Sequence, residues 1–273
     1  MKTIVKQVIK PNSLSFRASK VFVCSKFNEN ADVNQQRSAT GFFYRHNKDL
    51  FFITNWHVVS GKHPDTDNLT NGFIPTELKI AVRDKNTPSK AYTIDYELYE
   101  EGKADWFIHP KYGTQVDVVA LKLTSNYDDS DVEIKTINEI VFDKLEPEVA
   151  DEIFILGYPR GLDSGLYFPL WKKGSIASEP GFDYKGLPRV VIDCATREGM
   201  SGAPVIIKRT GIHDYNLNQP SNDWTIGTIQ DFLGIYSGRI DVTDVLSAHL
   251  GIVWKKSVIE EIIEGNQKDT LII

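Results

Sequence analysis

Arg197-Glu198-Gly199-Met200-Ser201-Gly202-Ala203-Pro204-Val205 sets a serine between two glycines just before an apolar run. Glycine lets the backbone take the tight turn that presents a hydroxyl, and it leaves backbone N–H groups free to face a developing oxyanion. Taken alone, the string also fits an ordinary turn. A serine hydroxyl is a poor nucleophile without an adjacent base of near-neutral pKa, and imidazole is such a base. The stretch Phe51-Phe52-Ile53-Thr54-Asn55-Trp56-His57-Val58-Val59-Ser60 delivers a histidine at the end of an apolar strand. By itself that residue is more simply a core histidine bonded to a carbonyl. In Thr114-Gln115-Val116-Asp117-Val118-Val119-Ala120-Leu121-Lys122-Leu123 an aspartate stands among apolar strand residues. Burying a carboxylate there is costly without a partner, and a histidine Nδ1–H is one. A strand-edge aspartate facing water is the alternative, and Asp95 and Asp105 are rivals for the role, though neither opens so long an apolar run.

Around these stretches the chain reads as β throughout. Runs rich in Val, Ile, Phe, Tyr and Thr, punctuated by Gly, Asn, Asp and Pro, predict strands. They fall at Lys20–Lys26, Thr40–Arg45, Leu50–Thr54, Glu77–Val82, Tyr92–Leu98, Val116–Leu123, Glu152–Gly157, Lys172–Ala177, Arg189–Asp193, Ala203–Lys208, Thr225–Ile229 and Leu233–Ser237. Asn47-Lys48-Asp49 reads as a hairpin turn. One helical pattern stands out: Lys255–Glu264 places Val258, Ile259, Ile262 and Ile263 on one face, with Gly265 as a stop. Ser125–Asp151 is acidic and reads as a connector, and Arg209–Asp223 as a long surface loop.

The 273 residues are enough for one large β domain or two small ones, and 41% hydrophobic residues can fill a sizeable core. Acidic and basic residues are spread evenly for a net charge of −6, without a basic block, so no nucleic-acid partner is expected. Lys2, Lys6 and Lys10 interrupt any apolar leader, and no run approaches the ~20 apolar residues a membrane span needs. The expectation is a cytoplasmic protein with no membrane partner, in which Cys24 and Cys194 remain reduced. The histidines show no metal-ligand spacing, so neither a metal nor any other cofactor is expected.

In the order His57, Asp117, Ser201, these contexts resemble the chymotrypsin/trypsin clan of serine peptidases, most of all its bacterial HtrA-like and stand-alone branches. Thr54-Asn55-Trp56-His57-Val58-Val59 resembles the family's Thr-x-x-His-Val-Val string. Ile108-His109-Pro110-Lys111-Tyr112, followed by Val116–Leu121, resembles its His-Pro-x-Tyr and Asp-Ile-Ala-Leu-Leu pattern. Gly157-Tyr158-Pro159-Arg160-Gly161 is similar to the Gly-x-Pro-x-Gly turn, and Leu250–Trp254 with the final helix to the closing strand and helix. The resemblance spans roughly residues 18–265. It implies an all-β, chymotrypsin-like double β-barrel with a C-terminal α-helix, treated as one peptidase domain. An N-terminal barrel would occupy residues 1–125, a connector 126–150, a second barrel 151–254 and the helix 255–265.

The resemblance also implies roles. Ser201 would attack a peptide carbonyl, His57 would shuttle the proton, Asp117 would orient His57, and the N–H groups of Gly199 and Ser201 would form the oxyanion hole. Ala195, six residues before the serine, would floor the S1 pocket beside Thr196, with Tyr236, Ser237, Gly238 and Arg239 as the facing wall. A floor without a carboxylate implies an uncharged P1 residue, or an acidic one if Arg239 folds inward. Met200 departs from the aspartate with which digestive members pair a new N-terminal amine, and no Ile-Val-Gly-Gly start is present. A PDZ module like that of the HtrA branch is not expected. The implied partners are a protein or peptide substrate and a regulatory protein. A trypsin-fold adaptor without activity is the competing reading.

Overall fold

The computed structural model describes residues 12–26, 37–64, 66–69, 73–87, 90–124, 131–213, 225–240 and 249–273. The first half begins with strands β1 (Ser19–Cys24), β2 (Arg37–His46) and β3 (Asp49–Thr54), then helix α1 (Trp56–Ser60). There follow β4 (Glu77–Asp84), β5 (Ala91–Glu97), β6 (Tyr99–Glu100), β7 (Lys103–Ala104), β8 (Phe107–Ile108) and β9 (Val119–Leu123). After β10 (Val132–Glu133), the second half holds β11 (Glu152–Gly157), β12 (Leu170–Ile176), β13 (Arg189–Asp193), β14 (Pro204–His213), β15 (Thr225–Arg239) and β16 (Leu250–Lys255). Helix α2 (Ser257–Gly265) and β17 (Gln267–Lys268) end the chain.

Each predicted strand falls on an observed one, with two differences. The segments 225–229 and 233–237 are one strand, β15, because buried Asp231 is accommodated by Lys256 (2.6 Å) instead of breaking the ladder. The run expected from Val116 pairs only from Val119, which leaves Asp117 in the loop just before β9. Most of the predicted connector is covered, but 125–130 lie outside the described residues, as do 214–223 of the predicted surface loop and the lysines of the N-terminus. The loop's first residues, 209–213, instead continue β14, because they pair with 225–229 of β15.

The second half closes into a six-stranded barrel, β11-β12-β13-β16-β15-β14, sealed by pairing of β11 with β14. The first half forms a nine-stranded sheet in the order β10-β4-β1-β2-β3-β9-β8-β17, with β5 added on β4, so strands from beyond the expected 1–125 join it. The extra strands are two-residue edge pairings without an apolar alternation of their own. β1 alternates buried and half-buried residues, whereas β3 is buried from Leu50 to Thr54 because it is covered on both faces.

One apolar cluster, with Val21, Phe43, Phe52, Ile80 and Trp106, fills the first half. Another, with Ile153, Ile192, Val205 and Val253, fills the closed barrel. A third lies between them, where Phe42 and Ile53 meet Ile206, Ile235 and Trp254, and it also takes the apolar stripe of α2. Helix α2 starts at Ser257 and runs through Gly265, and Asn266 supplies the left-handed terminating residue (φ 47°).

The tail then returns to the first half. β17 pairs with β8, the Ile273 N–H donates to the Gly102 carbonyl (3.0 Å), and Asp269 Oδ2 accepts the indole N–H groups of Trp56 (2.7 Å) and Trp106 (3.0 Å). Cys24 and Cys194 form no disulfide. Among the described residues no helix is long and apolar enough to cross a membrane.

Candidate active site

His57 sits in the single turn of α1, directly after β3. Its Nδ1–H donates to Asp117 Oδ2 at 2.7 Å, and its backbone N–H donates to Asp117 Oδ1 at 2.8 Å. Asp117 is buried (1% exposed) and receives a third donor, the Ser237 hydroxyl, on Oδ2 at 2.5 Å. Asn55, the N-cap residue of α1, donates its side-chain N–H to the Asp117 carbonyl (2.6 Å) and so ties the two loops together. Burial opposes charging of His57, but the Asp117 charge and hydrogen bond outweigh it and hold the imidazole above its usual 6.5. The rivals are engaged elsewhere: Asp95 pairs with Lys79 (3.3 Å) and Asp105 with Lys268 (2.7 Å).

Ser201 lies across the cleft, in the turn before β14. Its hydroxyl donates to the Ser237 carbonyl at 3.1 Å. Gly199 (φ 89°) and Gly202 (φ 83°) flank it in the left-handed region. A Cβ on Gly199 would lie 2.4 Å from the Tyr158 carbonyl oxygen, and one on Gly202 2.0 Å from that of Thr40, so neither site admits a side chain. The Glu198 carbonyl accepts the Arg160 N–H (2.6 Å), which fixes the peptide whose other end is the Gly199 N–H. Among the described residues, neither the Gly199 nor the Ser201 N–H donates to a protein acceptor. A cavity of about 560 Å³ opens here, and His57, Asp117, Ser201, Ser237, Gly238 and Arg239 all contribute to its wall.

A family model described as a trypsin-like peptidase domain matches residues 39–211. The chain belongs to that family. It is therefore a serine-type peptidase with a chymotrypsin-like fold. Among solved structures, the active form of the Rv3671c protease from M. tuberculosis is similar, at 16% identity and a TM-score of 0.48, over 95% of this chain and 84% of that one. The protease Anisep from Arthrobacter nicotinovorans is 15% identical (TM-score 0.46; 90% and 93% covered). The thermostable serine protease AL20 from an extremophilic microorganism is 11% identical (TM-score 0.47; 91% and 95% covered). No curated protein matches the sequence.

Within this peptidase the residues expected to form S1 divide into two groups. Ser237, Gly238 and Arg239 line the cavity, whereas Ala195, Thr196 and Tyr236 are not in its wall. Thr196 and Tyr236 are buried against each other, hydroxyl to hydroxyl at 2.5 Å. Burial pushes the Tyr236 phenol up to about 12, so it stays neutral. Ser237 does more than line a wall. The β15–β16 register shifts between Tyr236 and Gly238, and a bulge of this kind re-aims the side chain, here onto Asp117.

Thr40 is a residue that sequence reasoning missed. It is fully buried in β2, and its hydroxyl donates to the Gly199 carbonyl (2.8 Å) and accepts the Tyr158 N–H (3.3 Å). Its backbone N–H donates to the Ser201 carbonyl (2.9 Å). One threonine of the first half thus bolts the serine turn of the second. Thr40→Val keeps the volume and removes both side-chain bonds, so kcat is expected to fall about tenfold with KM little changed. Thr40→Ser should restore it, as steady-state kinetics on the three proteins will establish.

Met200 is fully buried among Ile153, Ile155 and Val205 and their neighbours. It cannot pair with an ammonium, and the serine turn is held by this packing and by Thr40. A short N-terminal tag is expected to leave turnover within about threefold. Loss of most activity on tagging, regained on tag removal, would contradict this.

Proposed function

We propose that this peptidase is an endopeptidase that hydrolyses peptide bonds by acyl transfer through Ser201, His57 and Asp117. The observation that carries the reading is the convergence on one cleft of a His57–Asp117 pair at 2.7 Å, a serine in a doubly glycine-flanked turn, and two unengaged N–H groups beside it. Rotation about the Ser201 Cα–Cβ bond swings Oγ from the Ser237 carbonyl toward His57 Nε2. The serine then attacks the substrate carbonyl while His57 takes its proton. The Gly199 and Ser201 N–H groups hold the oxyanion, Asp117 stabilises the imidazolium, and His57 returns the proton to the leaving amine. Water completes the cycle by the same route.

A fluorophosphonate probe tests the assignment. The adduct should map to Ser201 after digestion and mass spectrometry. A protein that cleaves peptides while the adduct maps to another residue would overturn it. Among the described residues Asp117 is the one carboxylate of the cavity wall and is engaged by His57 and Ser237, so a P1 cation finds no partner. In a P1-scanning library Lys and Arg should therefore be cleaved at least about a hundredfold less well than the best residue. A P1 Lys or Arg preference would mean that the P1 side chain lies outside this cationic wall. For its setting, we infer a regulated intracellular protease with a narrow substrate set. Cell fractionation that recovers it outside the cytoplasm would count against that setting.

A further inference from the structure

We infer that the cleft beside Ser201 selects acidic peptide segments, with Lys185 and Arg239 as the side chains that choose them. This rests on the hydrolytic reading above. The chain carries a net charge of −6, yet the cavity wall is cationic. Lys62, Lys185, Arg189 and Arg239 line it, against the single carboxylate of Asp117. That carboxylate is buried beneath His57 and already receives three hydrogen bonds. The neighbouring carboxylates are directed elsewhere. Asp67 holds Lys62 (3.1 Å), and Asp183, two residues before Lys185, is paired with Lys255 (2.6 Å). Lys185 stands in a left-handed turn (φ 55°) with its ammonium 5.5 Å from the Tyr184 ring centroid. Arg239 is exposed at the end of β15. Among the described residues neither has a carboxylate partner.

Between them, Arg189 donates Nε–H to the Tyr184 carbonyl (3.3 Å) and lies 5.2 Å from the Trp254 ring, which fixes the charged wall in place. A cavity of about 560 Å³ accommodates about three residues of extended chain. A Glu or Asp close to the scissile bond would therefore lie between Lys185 and Arg239, which have no counter-charge among the described residues. A basic residue there would meet like charge. The partly enclosed wall strengthens both effects relative to open water.

The test uses fluorogenic peptides that differ only by Glu or Gln at each of three positions N-terminal to the scissile bond. At one or more positions Glu should be favoured in kcat/KM by about tenfold, with the ratio falling as salt is raised. In Lys185→Gln and Arg239→Gln the ratio should drop to within about threefold. A ratio near unity at every position, or a preference for Lys, overturns the inference. A second measurement does not depend on turnover. Ser201→Ala protein should bind the Glu peptide more tightly than its Gln twin by fluorescence anisotropy, and equal binding overturns the inference. Preferential binding by a protein that neither cleaves nor takes the fluorophosphonate would refute hydrolysis and leave the acidic subsite standing.

Discussion

Replacing Ser201 by alanine is expected to lower turnover by about a millionfold while the protein stays folded. The two halves of that expectation have separate causes. Ser201 Oγ makes one hydrogen bond, to the Ser237 carbonyl, at the edge of a water-accessible cavity. Its loss exposes that carbonyl to solvent and costs about 1 kcal/mol or less of stability. Chemically, the other serine of the cavity wall, Ser237, donates its hydroxyl to Asp117, so the covalent route closes. The proposed oxyanion hole and substrate binding would remain, and they sustain only the weak attack of water. Single-turnover kinetics and a thermal melt on the same sample test both halves. A variant that keeps a tenth of the activity would show that a different group is the nucleophile.

Asp117→Asn is expected to lower kcat by about ten-thousandfold, and it should also move the pH profile. With its oxygen in the Oδ1 position the amide still accepts the His57 backbone N–H, and the Ser237 hydroxyl can turn to accept from the NH₂, so the loop stays in place. It cannot stabilise an imidazolium, and its NH₂ can force the wrong tautomer on His57. In the wild type, burial opposes the charged imidazole and Asp117 overcomes that opposition. The acid limb of kcat/KM should then lie above the usual 6.5, because the base must be neutral to act. Without the carboxylate only burial remains, so the limb of the residual activity should move to lower pH. The stability consequence has the opposite sign to activity. A histidine raised in the folded state contributes stability that is fully present below about 6.5 and is lost as pH rises through the raised value. The pair thus stabilises the enzyme most where it is least active. An unshifted acid limb in Asp117→Asn would mean that Asp117 does not set the His57 charge.

How far the chain can be read without coordinates depends on whether the cause of a feature is local. β11 and β13 were predictable to the residue, because each is a short apolar run between polar or glycine punctuation. His57, Asp117 and Ser201 each announce themselves by an odd polar residue in an apolar or glycine setting. Thr40 does not, because its reason for being a threonine lies 159 positions away, at Gly199. Ser237 looked like pocket wall, and only the bulge in β15 turns its hydroxyl onto Asp117. β17 has two exposed residues and no apolar pattern, so nothing local marks it as the partner of β8. The cationic cleft was also hidden. Lys62, Lys185, Arg189 and Arg239 are scattered along the sequence, and only the packing of the two halves gathers them.

The return of the tail to the first half gives synthesis an order. β8 is made early, but its outer neighbour β17 emerges about 160 residues later, on the order of ten seconds or more at usual rates of translation. Until then the indoles of Trp56 and Trp106 lack the carboxylate of Asp269, and the helical turn that carries His57 lacks its brace. A growing chain therefore completes the bracing of the His57 turn only after Ser201 and the whole closed barrel have been made. The turn that presents His57 and the segment that braces it are thus joined across the length of the fold, after every strand of the barrel that presents Ser201 has been made.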